Sequence, residues 1–320
     1  MNTVIVTGAA GFLGSHLCEH YLKLNYKVIG LDNFATGRSE NIDYLKKIGG
    51  AFSFFEFDVT QKWDFLQKEI LSSQSQLKYI FHFASPASPP HYQRLALETM
   101  WVNTIGLNNA LEFADLYKAR VVFASTSEVY GDPNCSPQPE TYWGNVNSFG
   151  ERSCYDEAKR FGESLIFSYN KRKNTQHGLV RIFNTYGPRM NPNDGRVVIN
   201  FILQALQSQP LTVYGDGQQT RSFCYVTDLI KAITTYASKN ITYPINIGNQ
   251  GEFTMLELAR VVQRLTKTTS EIIHKPLPSD DPKQRRPDTT LAERELDHWK
   301  AEVSLESGVT LMIDWLKTQL

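Results

Sequence analysis

The chain has 320 residues, 41% of them hydrophobic, and its 33 basic and 33 acidic side chains give a formal net charge of zero. This length allows one large core or two coupled ones, and the neutral balance argues against nucleic acid or a membrane surface as a bulk partner. No apolar run approaches the ~18 residues of a membrane span, and the opening MNTVIVTGAAG resembles strand and turn rather than a signal peptide. We therefore expect a soluble, cytoplasmic protein.

Cysteine usage points to the same compartment. Cys18, Cys135, Cys154 and Cys224 are widely spaced and form no CxxC pair, which fits a reducing environment better than a disulfide framework. We expect four unpaired thiols. No His/Cys/Asp cluster has metal-ligand spacing, and His82, flanked by apolar residues, is interpreted as a core histidine rather than a metal ligand.

Short β-rich runs alternate with helical stretches through the first part of the chain. The predicted strands are TVIVT, KVIGL, FSFFEF, KYIFHFA, RVVFAS and GLVRIF, and the predicted helices cover about 12–24, KWDFLQKEIL before a polar linker, 97–117 and 154–174. Alternation of this kind is typical of parallel strands joined by right-handed helical crossovers. The predicted fold class is α/β, with a doubly wound, mostly parallel Rossmann sheet.

A glycine-rich turn, TGAAGFLG, follows the first strand and opens the first helix. Gly8, Gly11 and Gly14 let the backbone approach a pyrophosphate, and the helix N-terminus supplies amide donors and a favourable dipole. Asp32 lies 24 positions after Gly8, near the ~20 typical of an acid that accepts from an adenosine ribose. A carboxylate there repels a 2′-phosphate, so the pattern favours NAD over NADP, a preference that Arg38 slightly weakens. The alternative is a turn that serves only tight packing.

The fifth predicted strand ends in a polar segment, STSEVYGD. Ser125, Thr126 and Ser127 supply three hydroxyls, and Glu128 follows directly behind the apolar run VVFAS. Because open α/β sheets hold ligands at the carboxyl ends of their strands, we interpret Glu128 as a site residue. The alternative is that Glu128 caps the following turn.

The segment SCYDEAKR places Tyr155 and Lys159 four positions apart, on one face of a helix. A cationic amine beside a phenol favours the phenolate and lowers a pKa of ~10 toward neutrality. Tyr155 is then a general base for a sugar hydroxyl, and Lys159 is also placed to hold the nicotinamide ribose. Alone, the pair equally fits a packed ring with a snorkelling lysine, but the glycine turn upstream favours the catalytic interpretation.

After residue 183 the regular alternation of strands and helices ends. Loops such as TYGPRMNPNDGR and YGDGQQTRS separate short helices there. We assign residues 1–183 to an NAD-binding Rossmann domain that includes the helix with Tyr155 and Lys159. Residues 184–320 are assigned to a smaller C-terminal substrate-binding lobe, with some segments returning to the main sheet.

The glycine turn and the YxxxK pair resemble the extended short-chain dehydrogenase/reductase superfamily, whose members act on nucleotide sugars. Longer strings are similar to the UDP-glucuronate decarboxylase (UDP-xylose synthase) family, and this similarity covers nearly the whole chain. They are HFASPASPPHY, ASTSEVYGDP, RSCYDEAKR, RIFNTYGPRM, DGRVV, PLTVYGDGQQTRSFCYVTDL and DDPKQRRPD.

The resemblance implies which residues contact the cofactor and the substrate. The implied NAD contacts are Gly8, Gly11, Phe12, Leu13, Gly14, Asp32, Asn33, Thr36, Gly37, Arg38, Asp58, Val59, Phe83, Ala84, Ser85, Asn103, Ser125, Tyr155 and Lys159. The implied substrate contacts are Ser88, Asn184, Arg196, Val198, Tyr214, Arg221 and Arg285. Guanidinium groups pair bidentately with phosphate oxygens, and a tyrosine ring stacks on a base.

Two of the matching segments also have non-functional interpretations. The basic run KQRRP also fits a solvated surface, and SPASPP also fits an ordinary rigid turn.

The strand end discriminates between reactions that share oxidation of a sugar C4 hydroxyl by NAD. The resemblance implies that a 4,6-dehydratase carries Thr-Asp-Glu here, whereas this chain has Thr126, Ser127 and Glu128. Loss of water from C6 then has no evident proton donor, and a 4-epimerase needs no carboxylate at this point. A decarboxylase fits better, because a 4-ketone turns the C6 carboxylate into a β-keto acid. In this hypothesis Tyr155 is base and later acid, Thr126 and Ser127 position sugar hydroxyls, and Glu128 orients the ring or manages proton traffic near C5.

Two departures from the family pattern leave the identity of the acid sugar open. The family usually reads Leu-Lys-Thr-Asn-Thr where this chain reads MWVNT, so Trp101 replaces a lysine that the family places near substrate. It also reads Pro-Ile-Gly-Pro-Arg where this chain reads SFGER, so Glu151 adds a negative charge before the Tyr155 helix. Either change is compatible with a related substrate such as a 2-acetamido uronic acid.

The sequence predicts tightly bound NAD and decarboxylation of UDP-glucuronate to UDP-xylose. The alternatives are a decarboxylase of another nucleotide-linked uronic acid, a nucleotide-sugar 4-epimerase or 4,6-dehydratase, and a catalytically silent NAD-binding scaffold. The predicted partners are the nucleotide-sugar substrate, with neither nucleic acid nor membrane. By resemblance, we also expect a homodimer formed through the helices that contain Asn103 and Tyr155.

Overall fold

The computed structural model describes residues 1–72, 75–276 and 284–320. The polar linker predicted after the third helix falls partly on residues 73–74, outside the described residues. The first four residues of the DDPKQRRPD string, 280–283, also lie outside them.

The strands of the described residues form one large sheet and three small ones. Strands β1 to β6 and β11 make a seven-stranded, entirely parallel sheet with the order β11-β6-β5-β4-β1-β2-β3. Strand order reverses between β1 and β4, the point where such sheets bind ligands. The bounds are β1 Asn2–Thr7, β2 Lys27–Asp32, β3 Phe52–Glu56, β4 Gln76–His82, β5 Arg120–Thr126, β6 Gly178–Ile182, β7 Thr185–Tyr186, β8 Leu211–Tyr214, β9 Thr220–Ser222, β10 Cys224–Tyr225, β11 Ile245–Ile247, β12 Glu252–Thr254, β13 Ile272–Lys275 and β14 Gln284–Arg285.

Helices cover both faces of this sheet, because its strands are apolar on both sides. In β1, Val4 and Val6 pack into one core and Ile5 into the other, as expected for a parallel sheet buried on both faces. The helices are α1 Phe12–Lys23, α2 Ser39–Ile48, α3 Asp64–Ser72, α4 Pro89–Arg94, α5 Ala96–Trp101, α6 Leu107–Tyr117, α7 Ser153–Lys173, α8 Val197–Leu206, α9 Val226–Ser238, α10 Met255–Thr266, α11 Thr290–Glu295 and α12 Leu305–Lys317. The predicted α/β fold class is confirmed.

The predicted helix over 97–117 is present, but it is not α-helical throughout. A π-helical turn, Val102–Gly106, separates α5 from α6. This widened turn exposes the carbonyl oxygen of Val102 to the Nε2 of His82, at 2.9 Å. The other ring nitrogen of His82 lies 3.2 Å from the Thr7 hydroxyl, so this fully buried side chain is a satisfied core histidine, as predicted.

The second half of the chain contributes to the main sheet as well as to its own small sheets. Strand β11 extends the sheet beyond β6, and one large core joins residues of α1 and α2 to residues of α8, α9, α10 and α12. The small sheets pair β7 with β10, β8 with β13, and β9 with both β12 and β14. The boundary between residues 183 and 184 remains a prediction.

The described residues include all four cysteines, and each is a free thiol. Over residues 1–72, 75–276 and 284–320, no helix is both long and apolar enough to cross a membrane. The same ranges contain no group of three or more His, Cys, Asp and Glu side chains arranged to hold a metal ion.

The glycine turn allows a test of close packing. A Cβ atom at Gly14 would overlap the carbonyl oxygen of Gly8, so we expect Gly14→Ala to lower the free energy of unfolding by about 1–3 kcal/mol. The matched control is Gly251→Ala, whose Cβ would lie at an ordinary contact distance of 3.4 Å from Asn249 Oδ1. Urea unfolding measures both variants, and equal midpoints for Gly14→Ala and the wild type would contradict the proposed overlap.

Candidate active site

A cavity of about 510 Å³ lies along the carboxyl ends of the central strands and continues into the second half of the chain. Most of the predicted site residues line it. They are Gly8, Gly11, Phe12, Leu13, Gly14, Asp32, Asn33, Thr36, Arg38, Asp58, Val59, Phe83, Ala84, Ser85, Ser125, Thr126, Ser127, Glu128, Tyr155, Lys159, Asn184, Arg196, Val198, Tyr214, Arg221 and Arg285.

Three predicted residues lie behind the cavity wall instead. Gly37 packs beneath Asp32, where a Cβ would approach the carboxylate to 2.8 Å. Asn103 is buried and donates to the Ser85 hydroxyl at 2.9 Å, so it supports a cavity residue without reaching the cavity. Ser88 is buried and its hydroxyl has no hydrogen-bond partner.

The glycine turn forms a cradle free of side chains at the start of α1. Gly8 has a φ of +74°, a conformation that favours glycine, and its carbonyl oxygen accepts from the Gly11 amide at 2.9 Å. A Cβ at Gly11 would lie 3.0 Å from that oxygen. The first turn of α1 carries no acidic side chain, so its amides and dipole favour an anion. These residues fit the pyrophosphate of NAD.

Asp32 closes the adenosine end of the cradle. Its carboxylate accepts from the backbone amides of Ala10 at 3.0 Å and Phe34 at 2.8 Å. Burial raises the pKa of Asp32, although these amide bonds oppose the shift. Arg38 is engaged elsewhere, since its guanidinium lies 3.3 Å from Glu40.

Lys159 lies under the cavity and connects α7 to β5. Its Nζ donates to the Ala124 carbonyl oxygen at 2.7 Å and lies 5.6 Å from the ring centre of Tyr155. Burial lowers the pKa of Lys159 to about 7. The pair is thus brought together on one helix face, as the sequence spacing predicts.

The prediction that Lys159 lowers the pKa of Tyr155 is wrong for this structure. Burial of the phenol raises its pKa, a hydrogen bond from Thr126 opposes the shift, and the charge of Glu128 adds to it. The physical reason is that desolvation disfavours both the phenolate and the ammonium. Both groups are therefore driven toward their neutral forms.

Glu128 lies between two arginines from distant parts of the chain. Its Oε2 accepts from Arg152 at 2.7 Å and from Arg285 at 2.8 Å. Burial raises the pKa of Glu128, but the charges of Arg285 and Arg152 outweigh burial and leave it lowered. Glu128 is consequently an anion held by two cations at the end of β5.

The turn after β5 is capped by another residue. The Thr126 hydroxyl accepts from the Glu128 amide at 3.2 Å and caps the 3₁₀ turn Ser127–Tyr130. Arg285 donates to the Ser127 carbonyl oxygen at 2.6 Å. The Glu128 side chain, which the capping alternative assigned to this turn, forms ion pairs instead.

Sequence reasoning missed three residues that surround Glu128. Arg152 is the N-terminal flanking residue of α7, and Tyr92 in α4 stacks on Tyr155 with ring centres 4.9 Å apart and an angle of 7°. Asp156 is buried next to Tyr155. The string RSCYDEAKR contained Arg152 and Asp156, but nothing in its spacing shows that they meet Glu128.

The predicted substrate residues enter the cavity from the second half of the chain. Strands β9 and β14 are parallel, and their register places Arg221 opposite Arg285. Arg196 forms an ion pair with Asp194, and Tyr214 is 44% exposed at the rim. Three guanidinium groups and an exposed aromatic ring therefore line this part of the cavity.

The two departures from the family pattern occupy different positions. Trp101 lines the cavity and is 48% exposed. Glu151 is exposed and is not among the residues that line the cavity in the described part of the chain. Of the two, Trp101 is the residue placed to affect substrate choice directly.

The lowered pKa of Lys159 permits a pH test. Because the folded pKa of Lys159 is about 7, the unfolded chain binds more protons between pH 7 and 10. The wild type should therefore gain stability relative to Lys159→Met as pH rises through this window, by at most about 1.4 kcal/mol per pH unit. Urea unfolding at several pH values measures the difference, and a constant gap would show that Lys159 keeps an ordinary pKa.

Comparisons with known proteins agree with these features. A model of the NAD dependent epimerase/dehydratase family matches residues 4–248. UDP-glucuronic acid decarboxylase 2 of Arabidopsis thaliana is 47% identical over 97% of this chain and 67% of its own length. UDP-glucuronic acid decarboxylase 1 of Danio rerio is 43% identical over 99% of this chain and 73% of its own length.

Solved structures, which are of 4-epimerases, support the same family and the same cofactor. UDP-glucuronic acid 4-epimerase from Bacillus cereus, in complex with UDP-glucuronic acid and NAD, has a TM-score of 0.87 at 27% identity, covering 99% of this chain and 100% of its own. UDP-glucose 4-epimerase from Thermotoga maritima, with UDP-glucose, has a TM-score of 0.88 at 28% identity, covering 99% of both chains. The predicted family and its NAD cofactor are thereby confirmed. The chain belongs to the NAD dependent epimerase/dehydratase family and, within it, to the group of the UDP-glucuronic acid decarboxylases.

Proposed function

We propose that this protein converts UDP-glucuronate to UDP-xylose and carbon dioxide through a 4-keto intermediate, with NAD regenerated in each turnover. The observation that carries the proposal is the carboxylate of Glu128, held between Arg152 and Arg285 in the cavity that contains Tyr155 and Lys159. The full-length relatives named above are UDP-glucuronic acid decarboxylases. The Bacillus cereus neighbour was solved with UDP-glucuronic acid and NAD.

The uridine diphosphate is assigned to the wall formed by the second half of the chain. Arg221 and Arg196 supply guanidinium groups for the phosphate oxygens, and the exposed ring of Tyr214 supplies a stacking surface for the base. Asp194 holds the Arg196 guanidinium through two nitrogen–oxygen contacts. Arg196 is therefore oriented toward the cavity by its neighbour on the same loop.

Tyr155 is assigned the proton transfers at O4. NAD, when bound in the glycine cradle, supplies the oxidant for the C4 hydroxyl and, once reduced, the reductant for the C4 ketone. The Tyr155 phenolate takes the hydroxyl proton and becomes a phenol, then returns the proton to O4, so Tyr155 ends each turnover as the phenolate that began it. The hydrogen bond with Thr126 favours its phenolate form, and a protonated Lys159 beneath the ring adds a stabilising charge.

The carbon–carbon cleavage follows from the 4-ketone. The C5–C6 bond breaks, its electron pair moves through C5 to the C4 oxygen as an enolate, and carbon dioxide leaves. A proton that comes ultimately from solvent is then added to C5, so each turnover consumes one proton in place of the carbon dioxide released. Ser127 stands where a dehydratase would carry an acid, so an acid to protonate a departing water is missing from this triplet. The geometry favours loss of carbon dioxide over loss of water.

The two arginines and Glu128 have opposite effects on the C6 carboxylate. Arg285, which is 2% exposed, and Arg152 attract the carboxylate, whereas Glu128 repels it. Carbon dioxide is uncharged, so the repulsion disappears as the bond breaks. We assign to Glu128 the positioning of both guanidinium groups and the destabilisation of the bound carboxylate relative to the transition state.

The reaction is tested by resolving nucleotide sugars by mass after incubation with UDP-glucuronate and a trace of NAD. We expect a product lighter by one carbon dioxide and no net NADH. Tyr155→Phe should reduce the rate by about 10²–10⁴-fold, because the proton acceptor is lost. The matched control is Tyr243→Phe at an exposed tyrosine, which should retain the wild-type rate.

Other masses would identify the other candidates. An isomer of unchanged mass would indicate a 4-epimerase, and loss of water would indicate a 4,6-dehydratase. Unchanged UDP-glucuronate would reject this substrate and direct attention to other nucleotide-linked uronic acids, with Trp101 as the first residue to revert to lysine. Normal NAD binding with none of these turnovers would support a silent scaffold.

We also propose that the protein forms a homodimer. Leu97 on α5 and Ile105 in the π-helical turn are each at least 46% exposed. Phe161 and Phe167 are exposed on α7, which packs beside α5. A continuous apolar surface of this kind is typical of an interface, and a second copy of the same surface covers it with two-fold symmetry.

The dimer is tested with Phe161→Glu. A charge placed in an apolar interface is costly to bury, so we expect this variant to sediment as a monomer where the wild type sediments as a dimer. Leu311→Glu alters a similarly exposed leucine on α12 and should remain dimeric. Analytical ultracentrifugation measures all three proteins, and a monomeric wild type would reject the proposal.

A further inference from the structure

Asp156 is a buried acid for which the mechanism above has no use. It is the residue after Tyr155 on α7 and is only 5% exposed. Its Oδ1 is buried and has no hydrogen-bond partner. Buried polar atoms are nearly always hydrogen-bonded, and an isolated buried carboxylate is especially costly, so this side chain requires an explanation.

The groups that face Asp156 belong to the part of the site to which the C6 carboxylate of the sugar is assigned, which we call the carboxylate-binding corner. Glu128 comes from the turn after β5, Arg152 from the start of α7, Arg285 from β14, and Tyr92 from α4; on its own helix the neighbours are Tyr155 and Glu157. The Tyr92 hydroxyl is also buried without a partner. Arg152 lies 6.0 Å from the Tyr92 ring centre and donates to Glu128.

Charge in this corner depends on whether Asp156 holds a proton. Arg152, Arg285 and Glu128 together carry one net positive charge. An ionised Asp156 would cancel that charge, and these four groups together would then exert no net attraction on the C6 carboxylate of the substrate. Burial and the charge of Glu128 raise the pKa of Asp156 to about 7, against the opposing effects of Arg152 and Arg285.

We propose that Asp156 is a positioning residue that holds a proton when an acid sugar binds, so that the cluster of Arg152, Glu128 and Arg285 keeps one positive charge for the C6 carboxylate. The inference rests on the proposed function, because only an acid sugar brings a carboxylate to this corner. Asp156 acts through the cluster and does not line the cavity within the described part of the chain.

This arrangement has a thermodynamic consequence. A bound carboxylate makes ionisation of Asp156 less favourable, so binding and protonation support each other. Below pH 7 the proton is already present. Above pH 7 Asp156 must take up a proton from solvent when the ligand binds. The dissociation constant of an acid sugar should therefore rise by up to tenfold per pH unit.

The test compares binding of UDP-glucuronate with binding of UDP-xylose, which lacks the carboxylate. Calorimetric titration from pH 6 to 9 in a Tyr155→Phe background prevents turnover, so the result does not depend on the reaction taking place. Because both ligands share the uridine diphosphate, titration of Lys159 affects both and cancels in the ratio of the two dissociation constants. We expect this ratio to be constant below pH 7 and to rise above it.

Substitutions assign the effect to one side chain. Asp156→Asn cannot ionise, so the ratio should stay at its low-pH value up to pH 9. Glu157→Gln changes the next carboxylate along the helix, which lies 3.6 Å from Arg160, and should keep the rise. A rise that persists in Asp156→Asn, or a flat ratio in the parent protein, would overturn the proposal.

A second measurement applies if Asp156→Asn does not fold. Titration of the parent protein at pH 8 in buffers of different ionisation enthalpy reports protons taken up on binding. We expect the uptake with UDP-glucuronate to exceed the uptake with UDP-xylose by close to one proton. Equal uptake with both ligands would overturn the proposal, whereas failure of the decarboxylase assay would leave this comparison interpretable for any bound uronic acid.

Discussion

The ion pairs of Glu128 with Arg152 and Arg285 are the contacts on which this cavity depends. They join the end of the central strand β5, the start of the longest described helix and a short strand from the far end of the chain. Removing Glu128 would leave two guanidinium groups without their counter-ion, at a cost of about 3–5 kcal/mol. The same contacts that fix the substrate wall against the Rossmann sheet therefore also set the charge that a sugar carboxylate meets.

Features with a local physical cause could be predicted from the sequence. Buried parallel strands must be apolar on both faces, so their runs stand out, and the α/β class, the element order and the glycine cradle at Gly8 follow directly. The four-residue spacing of Tyr155 and Lys159 likewise follows from helix geometry alone. These predictions required no knowledge of contacts between distant segments.

Features created by tertiary contacts could not be predicted in this way. The π-helical turn exists where His82 reaches the Val102 carbonyl oxygen. Nothing in the sequence around either residue predicts this contact. The direction of the Tyr155 pKa shift was wrong because the extent of burial, which opposes ionisation, is a property of the assembled fold. Arg152 and Asp156 gain their significance only when Glu128 is placed beside them.

The π-helical turn also constrains how this sequence can change over evolutionary time. A π turn contains one residue more than the α-helical turn it replaces, so deleting one residue there would restore a regular helix. It would also rotate every following side chain by about 100°, and Asn103 would lose either the Ser85 hydroxyl or the Thr99 carbonyl oxygen that it now reaches. This segment should accept substitutions far more readily than insertions or deletions, and its length should be the same in all functional descendants of the chain.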